Sequence, residues 1–313
     1  PVSPNLKTNV AIAGVLALVA GIAIIFLIVF LDRSIKTTGD ATQAADAPVL
    51  GIIPQLIAAD LGGAADDRAR DMYVHENPKS PIAECCRSLR TNILFSAADR
   101  QLKTLVVCSA NPREGKTTSV LYLGTTMAQS GQRTLVIDTD MRRPRLHRST
   151  GVALAPGLSN LLIGEDIYDH LIQPTEVSNL FILPCGLTPP NPAELLLTKR
   201  FEHVLGELAR RFDRVILDSP PIQAVTDAVV LSKRVDGAIL VVRASKTMRD
   251  ELRRSARQIR DVGGSIVGVI VNELDARDSY YGYGGYGYGG YGYGGYYGAD
   301  ADPDPDAKPG EAA

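Results

Sequence analysis

The chain has 313 residues, of which 45% are hydrophobic and 22% are charged, and its formal net charge is −2. At about 150 residues per domain this length suggests roughly two domains. The small net charge gives no indication of a nucleic-acid-binding protein. Four cysteines, at positions 85, 86, 108 and 185, lack the spacing of a metal site or a disulfide framework, which is typical of a reducing cytosol. The scattered histidines predict no metal site.

The first predicted element is a transmembrane helix over residues 10–31. This stretch has no charged residue and as a helix would be about 33 Å long, against a hydrocarbon core of about 30 Å. A signal anchor and a buried core helix are the alternatives. Basic residues are more numerous just after it than before it, which favours a cytoplasmic location downstream. Because the chain begins at Pro1 and not at Met, we expect a fragment or processed form, with an extracytoplasmic remnant at residues 1–9.

Residues 32–80 are predicted to form a linker region. Its first part is rich in Thr, Asp and Ala. A short apolar run at residues 49–54 is compatible with an edge strand. The polar and charged residues 58–80 predict a mobile loop before the folded domain.

A helix over residues 81–97 is predicted to lead into the folded domain. It carries Glu84, Arg87 and Arg90, which share one broad face because they are three residues apart. The residues alone do not decide between a solvated face with one ion pair and a contact surface.

The main chemical signal is the loop at residues 109–118. It lies between a predicted apolar strand at residues 105–108 and a predicted helix at residues 119–124. Such a loop presents backbone N–H groups and the positive end of a helix to phosphate. Gly115 lets the backbone approach closely, Lys116 neutralises phosphate charge, and the Thr117 hydroxyl can bind magnesium. Ala110 stands where the full P-loop pattern has Gly, so the loop is a variant; an ordinary surface loop is the alternative. The residues predicted to bind the nucleotide here are Asn111, Pro112, Arg113, Glu114, Gly115, Lys116, Thr117 and Thr118.

Three carboxylates end two other predicted strands. Asp138 and Asp140 close the apolar run that begins at residue 134, and Asp218 closes the run that begins at residue 214. Carboxyl ends of parallel strands lie on one edge of a sheet. The three acids should therefore meet beside the loop, where Mg·ATP needs ligands and an attacking hydroxyl needs a base. An isolated acid at a strand end is more often a turn or helix-cap residue.

Strands that alternate with helices predict an α/β fold, a doubly wound and mostly parallel sheet that forms a P-loop domain over residues 81–275. The last predicted strand, residues 265–271, places Asn272 on the ligand edge, where its amide could read an adenine ring; a turn-forming Asn is the alternative. The basic loop at residues 141–145 lies near the same edge. Contact with phosphate, contact with an acidic neighbour and simple solvation all remain open for it.

The C-terminal segment, residues 276–313, is predicted to be disordered. Most of the 12 tyrosines of the chain lie in it, within a Tyr/Gly repeat that has no aliphatic residues with which to build a core. It is either an aggregation-prone low-complexity tail or a row of phosphate acceptors for an active site. The candidate acceptors are Tyr280, Tyr281, Tyr283, Tyr286, Tyr288, Tyr291, Tyr293, Tyr296 and Tyr297.

In combination these features resemble the bacterial tyrosine kinases attached to polysaccharide co-polymerases, over residues 1–297. The resemblance rests on the P-loop, on the two strands with aspartate ends and on the tyrosine tail. Further matching motifs are Arg142-Arg143-Pro144, Asp218-Ser219-Pro220-Pro221, Pro190-Asn191-Pro192 and Glu84-x-x-Arg87-x-x-Arg90. Cys86 and Arg113 depart from the usual family pattern.

The resemblance implies specific roles in catalysis. Lys116 and Thr117 would bind phosphate and magnesium, Asp140 and Asp218 would hold the metal, and Asp138 would be the base for the tyrosine hydroxyl. The cofactors implied are ATP and Mg²⁺. The helix face that carries Glu84 would lie at a subunit interface of a ring, together with Arg87 and Arg90.

The resemblance also implies partners and a location. Each tail would enter the active site of a neighbouring subunit, and the ring would act with the polysaccharide export and polymerisation machinery and with a phosphotyrosine phosphatase. The kinase domain would lie on the cytoplasmic side of the inner membrane, with no nucleic-acid partner. The extracytoplasmic domain of such proteins and their first membrane helix would precede Pro1. The competing hypotheses are a membrane-tethered, partition-type Walker ATPase and a scaffold whose tail condenses at the membrane.

Overall fold

The computed structural model describes residues 6–57, 60–61, 66–96, 102–164 and 169–274. The tyrosines predicted as phosphate acceptors lie outside these ranges. Within them, eight strands form one sheet in the order β1-β8-β7-β2-β6-β3-β5-β4. The strands are β1 (Val49–Pro54), β2 (Thr104–Ser109), β3 (Thr134–Asp138), β4 (Gln173–Pro174), β5 (Leu180–Leu183), β6 (Arg214–Asp218), β7 (Gly237–Arg243) and β8 (Ile266–Leu274).

Every neighbouring pair in this sheet is parallel except β4 and β5, which are antiparallel. Parallel strands need crossover connections, and helices supply them here. The helices are α1 (Leu6–Leu31), α2 (Thr38–Ala45), α3 (Asp67–Glu76), α4 (Pro81–Phe95), α5 (Lys116–Gln129), α6 (Leu146–Thr150), α7 (Leu158–Ile163), α8 (Pro192–Leu197), α9 (Lys199–Arg211), α10 (Asp227–Ser232) and α11 (Arg249–Asp261).

The hydrophobic core lies on both faces of the sheet, in two clusters of buried side chains. The central strands β2 and β3 are buried at every position, which explains why they read as continuous apolar runs and not as alternating patterns. Helices cover both faces, so the predicted doubly wound α/β fold is confirmed.

The region predicted as a linker contains two helices, α2 and α3, that were not predicted. In α2, Thr37 and Asp40 form a capping box, and the buried side chains of Ala41 and Ala45 pack towards α11. The loop predicted over residues 58–80 is wrong for residues 67–76, which form α3. Tertiary packing decides this, because Met72, Tyr73 and Val74 are buried on α3 and the helix packs against α5.

Two strand ends also differ from the prediction. Strand β3 ends at Asp138, and Asp140 lies in the turn that follows. Strand β8 continues to Leu274, so Asn272 lies within it and does not end it. The edge strand expected at residues 49–54 is present as β1, paired with β8.

Helix α1 begins at Leu6, four residues before the predicted start, and ends at Leu31. Among the described residues it is the one helix long and apolar enough to cross a membrane. The apolar window spans Asn9–Leu27, and no residue in it is buried. The chain directly after it is tied to the start of α11. The Ile35 N–H donates to the Thr247 carbonyl at 2.9 Å, and the Arg249 N–H donates to the Arg33 carbonyl at 3.0 Å.

Candidate active site

The predicted phosphate loop joins β2 to α5, and its one glycine has a backbone conformation that other residues avoid. Gly115 has a φ of +88°, and α5 begins at the next residue, Lys116. A Cβ added to Gly115 would collide with the Asn272 side chain. That amide donates to the Glu114 carbonyl at 3.0 Å. Glycine is therefore required here both for the positive φ and for the close approach of β8.

Glu114 joins the loop to the start of α11. Its buried carboxylate accepts hydrogen bonds from the Asn111 N–H at 2.9 Å and from the Thr247 hydroxyl at 2.6 Å. The Asn111 amide donates in turn to Glu251 of α11 at 2.8 Å. Burial raises the pKa of Glu114, although these hydrogen bonds act in the opposite direction. The loop is thus held by the start of α11, to which the residues just after α1 are also hydrogen-bonded.

Asp218 and Asp138 are neighbours because β6 and β3 are paired in parallel with these two residues opposite each other. One oxygen of Asp218 lies 3.0 Å from the Lys116 ammonium, and the other accepts from the Thr117 hydroxyl at 2.7 Å. Burial disfavours the charged form of Lys116, but the facing carboxylates, Asp218 first, raise its pKa above the ordinary value. Lys116 therefore remains an ammonium.

Asp138 is fully buried and its carboxylate is held by main-chain groups. It accepts three hydrogen bonds at 3.1 to 3.2 Å, from the N–H groups of Asp140, Arg145 and Leu146. Burial raises the pKa of Asp138 well above its usual value, and the charge of Asp218 adds to the effect. A carboxylate with a raised pKa is a stronger base, which suits a proton acceptor.

Asp140 lies in the turn after β3, at the partly exposed side of the site. Its Oδ1 accepts from the N–H groups of Arg142 and Arg143, at 3.3 and 3.0 Å. Burial raises the pKa of Asp140, and the charge of Lys116 opposes this. The turn is anchored further on, where Arg142 forms a two-point ion pair with the buried Asp227 at 3.0 and 3.2 Å.

The donor set fits a magnesium ion. Thr117, Asp140 and Asp218 offer hard oxygen ligands, and the carboxylates outnumber the lysine that faces them. In the described part of the chain no three His, Cys, Asp or Glu side chains converge to form a complete metal site. Mg²⁺ is commonly held by one or two carboxylates together with substrate phosphates, so a nucleotide can complete the coordination here.

Some predicted site residues have contacts that the sequence did not indicate. The Asn272 amide is committed to Glu114, and reading of an adenine ring by it stays a prediction. On α4, Arg87 pairs with Glu84 at 2.7 Å, whereas Arg90 donates to the Thr126 carbonyl of α5 at 3.0 Å. Thr247 was not predicted as part of the site, because it lies in a turn between β7 and α11 that carries no motif.

A second missed residue is Asp71 of α3, whose buried carboxylate accepts from the Thr118 hydroxyl at 2.6 Å. Thr118 is the last of the phosphate-loop residues predicted to bind the nucleotide. No pattern in the sequence distinguishes this aspartate from the exposed acids around it.

Comparison with known proteins identifies the family. Residues 103–261 match the family model described as "AAA domain". The chain is 38% identical over 216 residues to the putative tyrosine-protein kinase CapB of Staphylococcus aureus, which covers 68% of this chain and 95% of that protein. It is 31% identical over 287 residues to the putative tyrosine-protein kinase EpsB of Ralstonia nicotianae, which covers 91% of this chain but 38% of that protein.

Solved structures agree with this. The BceF tyrosine kinase domain is 31% identical, with a TM-score of 0.70 over 77% of this chain and all of that domain. The relatives are named as tyrosine-protein kinases, and the BceF domain shares the fold described above. The chain contains an AAA domain and belongs to the bacterial tyrosine-protein kinases.

Proposed function

We propose that this kinase is an autokinase that transfers the γ-phosphoryl group of ATP to tyrosines in the C-terminal segment of a neighbouring subunit. The observation that carries the proposal is the pairing of Asp138 with Asp218 across β3 and β6, directly beside Lys116. This arrangement offers a proton acceptor, an oxygen ligand and a fixed positive charge at one point. The acceptor segment would be the row of tyrosines between residues 280 and 297.

In the proposed reaction the phenol oxygen attacks the γ-phosphorus, the bond to the ADP oxygen breaks, and the phenol proton passes to Asp138. A free phenol has a pKa of about 10, so the raised pKa of Asp138 reduces the difference that the transfer must overcome. Lys116 offsets charge on the transferring group. Thr117, Asp140 and Asp218 would hold Mg²⁺, which supplies further charge neutralisation on the phosphates.

The proposed ring is formed by head-to-tail contacts between subunits. Glu84 and Arg87 support an interface on α4, because both side chains reach the surface and are 51% and 34% exposed. Each phosphotyrosine adds about −1.5 to −2 charge. Successive modification should therefore repel the tail from the acidic site and loosen the ring. A phosphotyrosine phosphatase would reset the cycle.

We further propose that α1 anchors the kinase in the inner membrane, with the AAA domain in the cytoplasm where ATP is available. The exposed apolar surface of α1, including Phe26 and Phe30, supports the anchor. The resemblance to co-polymerase kinases supports a role in regulating capsular or exopolysaccharide polymerisation and export.

Transfer between subunits is tested by mixing two chains in membranes. One carries Lys116→Met and an intact tail; the other is active but ends before Tyr280. We expect labelled ATP to phosphorylate the tail of the Lys116→Met chain. If that tail stays unlabelled while the wild-type chain labels itself, the transfer occurs within one subunit.

The second candidate is an ATPase switch with water as the phosphoryl acceptor, which the same carboxylate cluster could serve. Replacing all nine tail tyrosines by Phe separates the two functions. A kinase loses most of its ADP production in this variant, whereas an ATPase keeps it. A scaffold without catalysis would produce neither ADP nor phosphotyrosine.

A further inference from the structure

Asp71 is a charged residue buried within α3 that has no assigned role in binding phosphate or metal. Its side chain is fully inaccessible to solvent. The carboxylate accepts from the hydroxyls of Thr118 and Ser149, each at 2.6 Å, and forms a short ion pair with Arg145. A buried carboxylate of this kind is tolerated only when its partners satisfy it. These partners come from α5, from α6 and from the turn before α6.

Two of the partners belong to different parts of the candidate active site, the phosphate loop and the turn after β3. Thr118 lies on the first turn of α5, directly after Thr117. Arg145 binds Asp71 through its side chain and Asp138 through its backbone N–H, at 3.1 Å. The next residue, Leu146, donates its N–H to the same oxygen of Asp138 at 3.2 Å. Asp71 therefore connects the phosphate-binding helix with the main chain that holds the proposed base.

We propose that Asp71 is a positioning residue for phosphoryl transfer, which acts through Arg145 to keep two backbone N–H groups directed at Asp138. The inference rests on the proposed role of Asp138 as base. The two N–H groups hold the carboxylate in place, and a displacement of about 1 Å in a catalytic group can lower a rate about 10²-fold. Because Asp71 also binds Thr118, it keeps the spacing between the base and the phosphate loop.

A purely structural role for Asp71 is the competing explanation, and the rate per nucleotide-binding site separates the two. Binding of a fluorescent ATP analogue counts the nucleotide-binding sites in each preparation. A positioning role lowers the labelling rate of each site, because the N–H groups of Arg145 and Leu146 are directed at the proposed base. Loss of folded protein alone lowers the number of sites and leaves the rate per site unchanged.

The experiment uses the full chain in membranes and compares Asp71→Asn with Arg145→Gln. The matched control is Glu76→Gln, which removes a carboxylate from the exposed end of the same helix. The rate of tail labelling per nucleotide-binding site and the KM for ATP are measured at neutral pH. We expect both variants to slow labelling by about tenfold to a hundredfold and to change KM by less than about threefold. Arg145→Lys should restore part of the rate, and Glu76→Gln should match the wild type.

The outcomes distinguish this inference from the proposed function. If Asp138→Asn is inactive while Asp71→Asn and Arg145→Gln keep the wild-type rate per nucleotide-binding site, the inference about Asp71 is wrong. A rate that falls only in proportion to the number of nucleotide-binding sites also contradicts it, because loss of folded protein alone would explain that result. If Asp138→Asn keeps labelling the tail, the proposed base is wrong instead. Thermal melting checks folding, and if Asp71→Asn does not fold, Arg145→Gln decides, because the Arg145 side chain is 31% exposed.

Discussion

The two halves of the active site hold their carboxylates in different ways. Asp218, at the phosphate-loop half, is paired with two side chains, those of Lys116 and Thr117. Asp138, at the half formed by β3 and the turn after it, is held by backbone N–H groups alone among its described hydrogen bonds. Side chains can rotate towards an arriving phosphate, whereas backbone donors move only when the main chain moves.

The contacts of Asp218 are therefore exchangeable, and those of Asp138 are fixed. The partners of Asp218 are the groups that the proposed function assigns to nucleotide and metal, so they can leave Asp218 when the ligand binds. The position of Asp138 depends instead on the turn between β3 and α6. Substitutions in the first half should therefore change ligand binding, and substitutions in the second half should change the rate of transfer.

The largest effect is expected for Asp138→Asn. Loss of a general base lowers a rate by about 10²- to 10⁴-fold, and nucleotide affinity should change little. The side-chain amide introduced at position 138 also turns its own N–H groups towards backbone donors, which lowers the free energy of unfolding by about 1–3 kcal/mol. Tail labelling, binding of a fluorescent ATP analogue and thermal melting measure these quantities. The exposed Asp261→Asn is the control, and a strong loss of nucleotide affinity would contradict the division into halves.

Lys116→Met should reduce tail labelling by about 10²- to 10³-fold, as expected when one charge that stabilises the transition state is removed. In contrast to Asp138→Asn, it should also weaken nucleotide binding, because the ammonium belongs to the exchangeable half. The matched control is Lys233→Met, at an exposed position after α10. Unchanged ATP affinity in Lys116→Met would count against the comparison.

The pH dependence of the labelling rate should follow Asp138, which belongs to the half with fixed contacts. Asp138 accepts a proton only when ionised, and burial raises its pKa well above the usual value. The labelling rate should therefore fall about tenfold per pH unit below that pKa, with the acid limb at higher pH than an ordinary aspartate would give. For this group a raised folded-state pKa means that acid favours the folded form, so the rate should fall while circular dichroism still reports a folded chain. An acid limb near pH 4 would show that Asp138 does not control the rate.

Gly115→Ala and Gly131→Ala form a matched pair, because both glycines have a φ near +90°. At Gly131 an added Cβ meets open space, so we expect only the backbone penalty of about 1 kcal/mol in stability. At Gly115 the Cβ would also displace the Asn272 side chain. We expect nucleotide affinity to fall about tenfold or more in this variant alone. Equal affinities in the two variants would mean that the contact with β8 does not shape the loop.

The smallest effect on the protomer is expected for Glu84→Gln. It breaks an exposed ion pair with Arg87, which contributes about 0.3–0.5 kcal/mol to stability. If the proposed interface is right, the same change should lower the mass of the assembly in light scattering. Glu207→Gln, which breaks an exposed pair with Arg210 on α9, should leave the mass unchanged. Equal masses for all three chains would remove α4 from the interface.

The sequence predicted those parts of the site that depend on local patterns. The apolar runs that end at Asp138 and Asp218 are visible because buried parallel strands are apolar at every position, and their carboxyl ends meet on one edge. The Gly-Lys-Thr motif at the start of α5 is also visible in the sequence, because the residues of the phosphate loop are contiguous in the chain.

The parts that depend on distant pairing were not predictable in this way. Asp71 and Arg145 are 74 positions apart, and no periodicity links α3 with the turn after β3. Helix α2 was hidden because its buried residues are alanines, whose small side chains leave a weak hydrophobic pattern. The contact of Asn272 with the loop was hidden because it depends on how far β8 extends beside it.

The two edges of the sheet limit how copies of this chain could meet in the proposed assembly. On one side β4 has two residues and ends with Pro174, and on the other β1 follows Pro48 and ends with Pro54. Proline has no N–H to donate, and short edges with proline resist the addition of a strand from another chain. No continuous intermolecular sheet should therefore form through these edges. Subunits would recognise each other through helix surfaces and loops, and such contacts can be released by charge without unfolding a sheet.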